Sequence, residues 1–130
     1  MYQVLGWVSV ILFLTVTAPY WLRNLNQSVP VLKRETLTQW TKLLRRIHKP
    51  LGIILMVAPP VHGYLVLGAF RLHTGSLAAA TLIITAILGA LFYFTRKPGC
   101  FTSHKRTALL SVILILLHLL APGAVNYLLN

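Results

Sequence analysis

Four apolar stretches, each close to twenty residues long, constrain this chain more than any other feature: roughly Val4 to Leu22, Leu51 to Phe70, Leu77 to Thr95 and Thr107 to Leu129. A bilayer core of about 30 Å requires about 20 apolar residues of helix, so each stretch is long enough to cross it. The chain has 130 residues, 57% of them hydrophobic, and a single acidic side chain, Glu35. That composition excludes an ordinary soluble domain. The expected fold class is all-α: one integral membrane domain spanning 1–130, built as a four-helix bundle.

A formal charge of +11 would suit nucleic acid, but its placement points elsewhere. Seven basic residues, Arg23, Lys33, Arg34, Lys42, Arg45, Arg46 and Lys49, fall between spans one and two. Arg96, Lys97, Lys105 and Arg106 fall between spans three and four, and only Arg71 lies between two and three. Eleven of the twelve basic side chains therefore share one side, which the positive-inside rule assigns to the cytoplasm. The expected location is a cell inner (cytoplasmic) membrane, multi-pass, with both termini outside, lipid as the surrounding partner and no nucleic acid. The first stretch has no basic residues before its apolar run and no well-placed cleavage site, so it reads as a retained helix.

Between Arg23 and Lys49, the residues Leu37, Trp40, Leu43, Leu44 and Ile47 recur at helical spacing. They predict a cytoplasmic amphipathic segment over 35–47, with Trp40 at headgroup level and its cations toward anionic lipid. Pro50 suits the first turn of span two. Pro98-Gly99 breaks the chain ahead of span four, where Thr102 or Ser103 can cap a helix starting near His104. Both His48 and His104 are thus expected near helix N-termini, and Pro59-Pro60 is expected to interrupt and kink span two.

Inside this apolar frame sit four of the five histidines, as two pairs of identical spacing: His48 and His62, His104 and His118. Fourteen residues of helix turn through about 40° less than four full turns, so both histidines of a pair leave nearly the same face. They are about 21 Å apart along the axis, which places one near each membrane face. Four alternating spans make the second and fourth parallel. His48 then faces His104 at an inner level, and His62 faces His118 at an outer one. Ionisable groups inside a membrane are costly enough to suggest function. Two imidazoles at each of two levels form the axial ligand set of two haems b, whereas zinc or copper would want more ligands than the neighbourhood provides. No C-x-x-C-H occurs and Cys100 is the only cysteine, so ligation and packing alone would hold the haems. Cys100 reads as an inert thiol, and His73, with no partner at the right spacing, as solvated.

Small residues lie where a porphyrin needs room: Gly52 and Ala108 one turn beyond His48 and His104, Gly63 and Ala121 beside His62 and His118, with Gly6 and Gly89 available on the other helices. Arg45, Arg46, Lys49, Lys105 and Arg106 cluster at the inner level and can meet haem propionates, although the positive-inside rule also accounts for them. At the outer level Arg71 is the formal cation, with Tyr64, Asn126 and Tyr127 as hydrogen-bond donors.

The runs HKPLGIILMVAPPVH and HKRTALLSVILILLH resemble the ligand helices of membrane diheme b-type cytochromes, namely respiratory cytochrome b and the transmembrane part of ferric reductases. The resemblance covers spans two and four, about a third of the chain. It implies two stacked haems between two parallel helices. Four spans are too few for a full respiratory cytochrome b, no flavin- or nicotinamide-binding domain follows span four, and no PEWY-like quinone motif occurs. A small cytochrome subunit, not itself catalytic, with redox partner subunits at one or both faces is therefore the expectation, and a quinone link is a secondary one. The alternative class is a non-redox membrane subunit, either an anchor for a soluble enzyme or a divalent-cation carrier.

Overall fold

A computed structural model describes residues 2–69 and 72–129. Five helices occur among them: α1 (Tyr2–Ser28), α2 (Arg34–Leu67), α3 (Thr74–Thr95), α4 (Pro98–Leu120) and the single-turn α5 (Ala124–Leu129). The first four are long and apolar enough to cross a membrane. Their large apolar side chains point outward: Trp7, Ile11, Ile53, Ile84, Ile113 and Leu116 are exposed, as lipid-facing residues are. With no water available in a bilayer, hydroxyls need partners within the bundle. Ser9, Thr17, Thr85 and Thr107 each donate to the carbonyl four residues earlier. The buried Ser111 of α4 reaches across to Thr81 of α3 at 3.2 Å.

α1 packs along α2 and α3 along α4, with a lighter seam between α2 and α3. The two histidine-bearing helices, α2 and α4, make no comparable seam of their own. Phe13, Leu55 and Leu82 form the centre, flanked by Leu12, Val16, Val112 and Ile115, so all four long helices contribute.

Three expectations about the elements change. The segment over 35–47 is not a separate surface helix, because α2 runs unbroken from Arg34 to Leu67 through Pro50, Pro59 and Pro60. His48 is accordingly in mid-helix, fourteen residues from its start, and the proline pair does not interrupt the span. Each proline removes one intrahelical N–H, yet the helix continues through all three. Pro98 begins α4 at its first position, where a missing N–H costs little; His104 is therefore in the second turn and neither Thr102 nor Ser103 caps the helix. Finally, span four ends at Leu120 and Pro122-Gly123 separates it from α5.

Chain reversals are tightly made. Asn26 clamps the α1–α2 connection by accepting from the Leu32 N–H at 2.7 Å and donating to the Leu32 carbonyl at 3.3 Å. Gly68 closes α2 in the left-handed conformation, φ 65°, with its N–H on the Tyr64 carbonyl. α3 opens with a capping box in which the Gly75 N–H donates to His73 Nδ1 and the His73 N–H to Ser76 Oγ.

Candidate functional site

The equal spacing of the histidine pairs is realised as two levels in the bundle. His48 of α2 meets His104 of α4 with ring centres 6.2 Å apart and planes at 76°. His62 lies within electrostatic reach of His118. Because the inner pair and the outer pair match in this order, α2 and α4 run in the same direction. Two metal–nitrogen bonds of about 2 Å, with roughly 1.1 Å from each ring centre to its nitrogen, would put imidazole centres about 6 Å apart across one metal. The inner pair has that separation.

Each ring is also held by the nitrogen that would not bind metal. His48 donates its Nδ1–H to the Val16 carbonyl of α1 at 3.0 Å, and His104 donates its Nδ1–H to the Thr85 carbonyl of α3 at 2.8 Å. A carbonyl can only accept, so Nδ1 carries a proton in both rings, and in the neutral imidazole the lone pair is then on Nε2. Anchoring of this kind orients metal-ligating histidines and raises their basicity. At the outer level His118 Nδ1 meets Thr74 Oγ1 at 2.9 Å.

Three rings lie flat over glycines of the neighbouring helix. A Cβ at Gly6 would be 2.9 Å from His62 Cε1, one at Gly75 3.0 Å from His118 Cε1, and one at Gly89 3.1 Å from His104 Cε1 and Nδ1. These contacts join α1 to α2 and α3 to α4, the two closely packed pairs. Gly52 lines the cavity described below, while a Cβ at Gly63 would meet nothing within 4 Å.

A cavity on the bundle axis runs from the inner pair toward the centre. Its walls include His48, Gly52, Leu55, His104, Ala108 and Phe13, and its volume is about 80 Å³. Small-molecule pockets begin at roughly 300 Å³, so a macrocycle bound on this axis would have to spread the wall side chains. Among the described residues no three His, Cys, Asp or Glu side chains gather as a metal-binding group. The inner level offers two imidazoles as donors, fewer than a closed zinc or copper site takes.

The inner-level cations are exposed: Arg45, Arg46, Lys49, Lys105 and Arg106. Lys49 turns its ammonium over the Tyr93 ring at 3.6 Å, and Lys105 lies 4.9 Å from the Phe101 ring centre. Lys49 thereby carries its charge toward the end of α3 while its stem stays along the helix. At the outer end, Arg71 lies outside the described residues, as does the side chain of Asn126. Tyr127 of α5 is exposed at 90% and Tyr64 at 50%.

Two outer-level residues were not expected. His73 is not simply solvated: its ring centre lies 5.4 Å from that of His118, edge to face at 81°. Thr74 is fully buried beside them. The sequence signal for both was the run His73-Thr74-Gly75-Ser76, a helix start that holds its own first residues in place.

The two levels also differ in distance from a helix end. His118 is two residues from the end of α4, about 3 Å, whereas His104 is six residues from its start, about 9 Å. The outer pair is thus closer to a helix end than the inner pair is. No protein-family model matches this chain, and neither the curated proteins nor the solved structures give a significant match.

Proposed function

We propose that this chain is a membrane cytochrome subunit that holds two haems b, one at each histidine level, and carries single electrons across the bilayer. The observation that carries the reading is the His48–His104 pair, its ring centres 6.2 Å apart and both Nδ1–H groups tied to backbone carbonyls. Haem b bound here would supply an iron that alternates between ferric and ferrous states. The chain's own residues bind, orient and insulate. His48 and His104 would hold one haem iron, and His62 and His118 the other. Val16 and Thr85 would hold the inner rings through their carbonyls, and Gly6, Gly75 and Gly89 let the rings lie close to neighbouring helices. Phe13, Leu55 and Leu82 keep water from the space between the levels. The exposed cations Arg45, Arg46, Lys49, Lys105 and Arg106 would receive propionates on the cytoplasmic side. Because two histidines of the chain would hold each haem, the role would be a relay between partner subunits or a quinone pool and an outer acceptor.

The test is a series of alanine variants read by reduced-minus-oxidised spectra. His62→Ala or His118→Ala should lose the outer haem and keep the inner one; His48→Ala or His104→Ala should do the reverse. Unchanged haem content in all four variants would refute the ligand assignment.

A further inference from the structure

At the outer level, a fully buried hydroxyl stands where the inner level uses backbone. Thr74 Oγ1 lies 2.9 Å from His118 Nδ1 and 2.8 Å from the Pro122 carbonyl, and Thr74 has no exposed surface. The carbonyl can only accept, so the single hydroxyl hydrogen goes to Pro122. Thr74 Oγ1 then has only lone pairs to offer His118. Nδ1 must therefore carry the ring proton, and Nε2 is left with the lone pair.

The ring is constrained on other sides by the same stretch of chain. His73 packs edge to face against it, and Gly75 lies under it at a separation a Cβ would close to 3.0 Å. The capping box that fixes His73 as the start of α3 also fixes Thr74 and Gly75. Three consecutive residues thus meet the edge, the Nδ1 atom and the face of His118. Pro122, just past the end of α4, ties the arrangement to the turn into α5.

We infer that Thr74 is the positioning residue of the outer centre, fixing the tautomer and plane of His118 and setting how strongly that imidazole donates to iron. The inference rests on the haem reading above. An acceptor on Nδ1–H increases the basicity of the ligating nitrogen, which favours ferric over ferrous iron. The Thr74 hydroxyl is polarised by its own donation to Pro122, which strengthens it as an acceptor. Unlike Val16 and Thr85 at the inner level, which act through main-chain carbonyls, this acceptor can be removed by substitution.

Thr74→Val keeps the shape and removes the acceptor, while Thr74→Ser restores it. In the valine variant the outer haem's midpoint potential should move to a more positive value and its low-spin ferric signal should change. The inner haem should keep its wild-type values as an internal reference, and the serine variant should match wild type at both levels. Nitrogen-15 spectra of the haem-free protein in detergent give a readout independent of cofactor. His118 should be the Nδ1–H tautomer in wild type and Thr74→Ser, and mixed or switched in Thr74→Val. If Thr74→Val does not accumulate, Thr74→Ala is read in the same way. A valine or alanine variant with wild-type tautomer and wild-type outer potential would overturn the inference. Wild-type protein that takes up no haem would instead count against the cytochrome reading, and the nitrogen spectra would still decide whether Thr74 holds His118.

Discussion

The glycines beneath the rings show how single atoms govern this site. A methyl group at Gly89 would stand 3.1 Å from two atoms of the His104 ring, a ring that its bond to Thr85 keeps from moving away. Overpacking a fitted contact costs roughly 1–3 kcal/mol. Gly89→Val should therefore displace His104 and strip the inner level of haem while the outer level remains, and Gly75→Val should do the opposite. Gly63→Ala, with nothing within 4 Å of the new carbon, should leave haem content unchanged; spectra of the three variants check this pattern. The histidine pairs were legible in the sequence because a fourteen-residue repeat on an apolar helix determines both face and rise without tertiary information. Gly6 and Gly89 could be named as small residues on the other helices, though their contacts with His62 and His104 could not. Thr74 was not legible, because its bond to His118 joins positions 44 residues apart and depends on where α3 begins. His73 was misread for a related reason: a histidine in a short loop looks solvated until its capping role turns it against a neighbouring helix.

Apolar length and charge predicted four spans, and four helices of that kind are present; their ends were harder to read. Proline carries opposite meanings at a helix start and inside a packed helix. Pro50 was read as the first and is the second. The continuity of α2 has a measurable consequence. Spin labels at the exposed positions Thr38 and Val57 should be separated by about 28 Å along an unbroken helix. A surface segment meeting the span at a right angle near Pro50 would bring them to about 21 Å. Asn26 makes a second prediction: Asn26→Ala removes both bonds that close the α1–α2 turn. Its loss should cost on the order of 1 kcal/mol and speed proteolysis between residues 28 and 34, while haem content stays unchanged.

Taken together, the four helices form two tightly packed pairs, α1 with α2 and α3 with α4, whose histidines meet across the gap between α2 and α4. That arrangement explains how polar rings can be held in an apolar bundle: each Nδ1 in the inner pair is satisfied by a helix that does not carry the other histidine. It also places the cations around the inner level, with the outer level close to the end of α4. With Lys33, Lys42, Lys97 and Lys105 all expected on the cytoplasmic side, membrane-impermeant amine reagents should label them in inverted but not in right-side-out vesicles. The most direct measurement is the haem content of the protein purified in mild detergent, by pyridine haemochrome together with oxidised and dithionite-reduced spectra. The account predicts close to two haems b per chain, both six-coordinate and low-spin. A colourless protein, even after expression with added haem, would contradict it and return the four histidines to a structural or cation-binding role.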